Sequence, residues 1–97
     1  MNKENQLKIL NIICNYYGID KNNFSKLLKN REKKFLLLLV LKNNNFINND
    51  ELIDMFGISS VNRLKSNFRK AQEKFLVNTF FREEYIELEE KIKKQID

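Results

Sequence analysis

Apolar residues recur every three or four positions along most of this 97-residue chain, and no stretch makes a convincing strand. The spacing predicts six helices. Leu7, Leu10, Ile13, Cys14 and Tyr17 mark the inward face of a first helix from Lys3 to Tyr17, with Gly18 as its C-cap. Asp20 caps a short second helix through Leu28, with Phe24, Leu27 and Leu28 facing in. A basic segment, Lys29 to Lys34, then leads into a strongly apolar third helix, Phe35 to Lys42, which the Asn43–Asn45 cluster breaks.

Asn48 and Glu51 stand three apart before Leu52, Ile53 and Phe56, close to a capping box for a fourth helix that Gly57 closes. Ser59 or Ser60 caps the fifth, whose inward stripe is Val61, Leu64, Phe68, Ala71 and Phe75. Its outer face carries Asn62, Arg63, Lys65, Ser66, Asn67, Arg69 and Lys70. Thr79 caps the sixth, with Phe81, Tyr85, Leu88 and Ile92 inward and Glu83 and Glu84 in its first turn. A short amphipathic helix, a glycine-centred turn and a helix with a basic outer face form the sequence pattern of a helix-turn-helix. The expected fold is therefore all-α, one domain over residues 1–97, a compact bundle of about six helices containing that motif.

Composition narrows the function. Proline is absent and glycine occurs twice, so little interrupts helix. The formal charge of +5 favours polyanionic partners. It is unevenly spread: residues 1–81 carry +7 and residues 82–97 carry −2, so the basic surface lies in the middle of the chain. With no histidine, His-based acid–base catalysis, Ser-His-Asp triads and His-metal sites are excluded. One cysteine cannot build a zinc finger, and Cys14 reads as a small buried hydrophobe in a reducing, cytoplasmic protein. No enzyme activity, cofactor or metal is expected. The longest apolar run, Phe35 to Leu41, is far short of a membrane span. Most aromatics, among them Phe24, Phe68, Phe75 and Tyr85, fall on inward stripes and read as core rather than as base-stacking platforms.

The candidate chemistry is that of nucleic-acid contact. Ser59, Ser60, Asn62, Arg63, Lys65 and Ser66, at the front of the fifth helix, are the candidates for base edges, where arginine pairs bidentately with guanine. Lys29, Arg31, Lys33, Lys34, Arg69 and Lys70 are the candidates for phosphates. The paired glutamates at 83–84 and 89–90, without a convergent partner, read as a solvated face.

The order of these elements resembles the C-terminal DNA-binding domain of the bacterial replication initiator DnaA, over nearly the whole chain. Tyr16-Tyr17-Gly18-Ile19 is similar to the end of that family's first helix, and Lys29-Asn30-Arg31-Glu32 to its basic loop. Lys33-Lys34 and the apolar run after them resemble the start of its central helix. Met55-Phe56-Gly57 resembles the family's Leu-Phe-Gly, Phe68-Arg69-Lys70 its Ile-Arg-Lys, and the stretch from Arg82 to Lys91 its final helix. The signature itself departs: Ser59, Ser60, Val61, Asn62 and Arg63 stand where the family has Arg, Asp, His, Thr and Thr. Ser60-Val61-Asn62-Arg63 instead resembles the Thr-Val-Ser-Arg run of general helix-turn-helix proteins, with the valine buried and the arginine facing DNA. No phosphate-binding Gly-x-x-x-x-Gly-Lys-Ser/Thr occurs, so the initiator's ATP-driven engine is missing.

The resemblance implies non-catalytic binding of double-stranded DNA, at the nucleoid, in replication control, transcription or a mobile element. The alternative is a protein-interaction module on the same scaffold, docking through the acidic last helix. Neither a membrane nor a small-molecule substrate is expected as partner. No heptad seam or exposed apolar stripe in the sequence assigns a dimer surface.

Overall fold

The computed structural model describes residues 3–45 and 47–96, and of residues 3–5 only the backbone. Among these residues there are six α-helices and no strand: α1 (Lys3–Tyr17), α2 (Phe24–Lys29), α3 (Arg31–Asn43), α4 (Asn49–Phe56), α5 (Val61–Val77) and α6 (Thr79–Ile96). A single 3-10 turn, Lys21–Asn23, precedes α2. The all-α expectation holds.

The apolar run explains the layout. Phe35, Leu36, Leu37, Leu38, Leu39, Val40 and Leu41 are all buried, so α3 is apolar on every side. Such a helix is stable only when covered all round. α2, α4, α5 and α6 pack on it, while α1 lies against α6. Leu38 is fully buried, and trimming it to alanine would cost about 2–5 kcal/mol.

α3 begins four residues earlier than its apolar content predicts. Asn30 is its N-cap, the side chain accepting from the Lys33 N–H at 3.1 Å, with Glu32 in the first turn against the helix dipole. The basic stretch expected as a loop is therefore mostly the first turn of α3. Asp20 makes no side-chain capping bond, and the second helix is split into the 3-10 turn and α2.

The inward stripe of α1 is also displaced. Ile9, Ile12, Ile13 and Cys14 are buried, whereas Leu7 is 54% exposed. The helix carries two adjacent apolar stripes, and packing against α6 selects between them.

Residues 57–60 join α4 to α5. The Asn48 side chain caps α4 through the Glu51 N–H at 2.9 Å. Gly57 ends it in the left-handed region (φ 62°), and the Ile58 N–H returns to the Ile53 carbonyl at 3.0 Å. Ile58 is buried and pins the turn to the core. Ser60 caps α5, accepting from the Arg63 N–H at 3.2 Å. Leu64 and Ala71 are buried and Phe68 and Phe75 half-buried. Val61, expected inward, is 45% exposed. As the first residue of α5 it projects over the turn and past the edge of the core.

α6 is capped by Asn78, not Thr79: the Asn78 side chain accepts from the Phe81 N–H at 3.0 Å. Glu83 and Glu84 consequently fall in the second turn rather than the first. Phe81, Tyr85, Leu88 and Ile92 are buried as the spacing predicts. Among the described residues no helix is long and apolar enough to cross a membrane.

Candidate nucleic-acid interface

The end of α2, the start of α3, the 57–60 turn and the front half of α5 enclose an open groove of about 470 Å³. Leu28, Phe35 and Ile58 contribute apolar lining, and Gly57 leaves the turn without a side chain. Five cations line it: Lys29, Arg31, Lys34, Arg63 and Lys70, together with Ser59 and Asn67, and no carboxylate does. Among the described residues none of the five is in an ion pair. The Arg31 guanidinium lies 5.6 Å from the centre of the Phe35 ring, a cation–π contact that steadies it.

Local stability does not account for this crowding. Arg31 and Arg63 stand in the first turns of α3 and α5, and Lys34 directly follows the first turn of α3. There the positive end of the helix dipole opposes a cation. Gathering like charges without counter-charges adds mutual repulsion, which a polyanion in the groove relieves.

The structure divides the sequence candidates. Lys29, Arg31, Lys34, Ser59, Arg63 and Lys70 line the groove. Ser60, Asn62, Lys65, Ser66 and Arg69 are exposed but outside it, with the Ser60 hydroxyl occupied as the α5 cap. Lys33 is turned away altogether. Its Nζ donates to both Glu84 oxygens at 2.7 and 2.6 Å and sits 5.2 Å from the centre of the Tyr17 ring. Asn67 is the polar groove residue absent from the expected contact set. Its position four after Arg63 and three before Lys70 is the signal that could have found it.

Behind the groove the acidic helix is tied inward. Glu84 also accepts from the Tyr17 hydroxyl at 2.6 Å, and Glu89 accepts from Tyr85 at 2.9 Å and Asn44 at 2.8 Å. Burial first, then the bond to Glu84, pushes the Tyr17 phenol far above its ordinary value. Burial, with the nearby Glu87 charge, raises Tyr16 to about 12. Cys14 is buried, and burial followed by the charge of Asp20 pushes its thiol up. Among the described residues no group of three or more metal-ligating side chains converges.

No family model, curated protein or solved structure matches this chain.

Proposed function

We propose that this chain binds double-stranded DNA without catalysis, using α4, the turn and α5 as a helix-turn-helix. The observation that carries the reading is the groove: five cations from three helices, free of carboxylates and of ion pairs with the described residues, beside the turn that starts α5. Lys29, Arg31, Lys34 and Lys70 neutralise phosphates along its walls. Arg63, three residues into α5, reaches for a guanine edge in the major groove, with Ser59 and Asn67 as polar neighbours. Asn62, Lys65 and Ser66 extend the same exposed front, and Arg69 adds charge beside it.

The likeness of element order to the initiator's DNA-reading domain supports the same assignment and a role at the nucleoid, in replication, transcription or a mobile element. The departure of residues 59–63 from that family's signature assigns this chain a different target site. Docking of a protein on the acidic face of α6 draws less support, because Glu84 and Glu89 are already held by Lys33, Tyr17, Tyr85 and Asn44.

Fluorescence anisotropy of a pooled random-sequence duplex, repeated across a salt series, tests the reading. Four to five neutralised phosphates give a slope of log affinity on log salt of about −4. Absence of binding at low salt sinks it.

A further inference from the structure

At the C-terminal end of α5 three large apolar side chains stand in water, and one of them, Val77, borders a hollow that shares Arg31, Phe35 and Lys70 with the basic groove. Leu76 is 72% exposed, Val77 82% and Phe80 83%. They fall within five positions spanning the joint between α5 and α6. Scattered exposed apolar residues are ordinary, but a contiguous group marks an interaction surface.

The joint is rigid. Arg82 donates to the carbonyls of Phe75 at 3.0 Å and Leu76 at 3.2 Å, and the Asn78 N–H donates to the Lys74 carbonyl at 2.8 Å. The Asn78 cap of α6 completes the clamp. The three side chains are therefore displayed on a fixed backbone, which lowers the ordering cost of any association through them.

Beside this ridge lies a hollow of about 290 Å³ between α3 and α5, lined by Leu39, Asn43, Gln72, Phe75 and Leu76. It contains no charged residue and is large enough for a phenyl ring. Leu76 belongs to both ridge and hollow, so one face carries a protruding part and a receiving part. A face of that kind can meet its own copy across a two-fold axis, each protrusion entering the other's hollow. The hollow and Phe80 are uncharged, so seating Phe80 there brings no like charges into the contact, while beside Val77 stand Arg31, Lys70, Glu73 and Lys74.

The area is consistent with a second copy. Three exposed side chains of this size present about 300 Å² of apolar surface. Two copies together supply about 600 Å², roughly the apolar half of a 1,200 Å² interface, the lower limit of specific association.

We infer that the chain forms a symmetric, reversible dimer in which Phe80 of each copy enters the hollow beside Leu76 of the other. The inference goes beyond the DNA reading and does not depend on it.

Sedimentation velocity of the full chain without DNA, from about 1 µM to about 1 mM, is the test. The average mass is expected to climb from one chain toward two. Phe80→Glu and Val77→Lys are expected to remain monomeric with an unchanged helical circular dichroism spectrum. Ile86→Glu, an exposed apolar position on another side of α6, is expected to behave as wild type. A wild-type chain that stays monomeric at the highest concentration, or dimers that persist in both Phe80→Glu and Val77→Lys, overturns the inference. Loss of the dimer in Ile86→Glu alone moves the interface elsewhere and overturns it equally.

Discussion

The Lys33 ammonium donates to both carboxylate oxygens of Glu84, at 2.7 and 2.6 Å, and so ties the first turn of α3 to α6. A residue that sequence alone groups with the phosphate contacts is thus part of the scaffold. Lys33→Ala should lower stability by about 1 kcal/mol, as expected for a partly exposed ion pair within a small network. Duplex affinity and its salt slope should not change. A urea titration and a salt series on the same protein check both, and a reduced slope would return Lys33 to the phosphate set.

Its sequence neighbour should behave in the opposite way. Lys34 lines the groove, so Lys34→Ala should weaken binding to every duplex alike and reduce the salt slope by about one. Arg63→Ala should cost about 1–3 kcal/mol of binding and relax preference at one base pair. Site selection from a random pool before and after the substitution distinguishes these outcomes. An unchanged selected site means that Arg63 does not read bases.

Tyr17 carries a pH dependence. Its folded-state phenol is raised above the unfolded value of about 10 by burial and by its bond to Glu84. Below about pH 10 the phenol is protonated in both states and its contribution is complete. Above that pH the unfolded chain loses its proton first, and stability falls as pH rises. Tyr17→Phe should cost about 1 kcal/mol at neutral pH and make the alkaline decline shallower. Urea midpoints measured between neutral and strongly alkaline pH report it, and parallel curves for the two proteins would count against the buried bond.

The two helix joints make a paired prediction. Gly57 has φ 62° with nothing within 4 Å of where a Cβ would stand, so Gly57→Ala is penalised by backbone strain alone, by about 1–2 kcal/mol. Gly57→Asn should cost less, since asparagine tolerates this region better. At the other joint, Asn78→Ala should cost about 1 kcal/mol and Thr79→Ala much less. Equal losses at 78 and 79 would contradict the cap assignment.

These joints also show where sequence stops being legible. The stripe Phe81, Tyr85, Leu88 and Ile92 was readable because α6 has one dominant apolar face. α1 offers two adjacent stripes, and only the position of α6 decides that Ile9 and Ile12 go in while Leu7 stays out. Asn30 was obscured as a cap by the cations around it, and with it the true start of α3. Within the groove, Arg63 and Lys70 share a face by helical spacing and could be paired from sequence. Their meeting with Lys29, Arg31 and Lys34, some thirty positions earlier, follows from how α2 and α5 pack on α3. Phe80 and Phe81 are adjacent phenylalanines, and the helical period shared with Tyr85, Leu88 and Ile92 puts Phe81 inward and leaves Phe80 outside.

α5 is one uninterrupted rod with the basic groove at its front and the apolar ridge at its back. Fourteen residues separate Arg63 from Val77, about 21 Å at the helical rise. Two copies joined back to back through that ridge would place about 42 Å of helix plus the width of the contact between their arginines, and tilting the rods would shorten the span toward the roughly 34 Å of one duplex turn. In such a dimer the helix would act as a ruler, its length setting the distance between two inverted half-sites, and inserting one helical turn behind Arg63 would lengthen the preferred spacer.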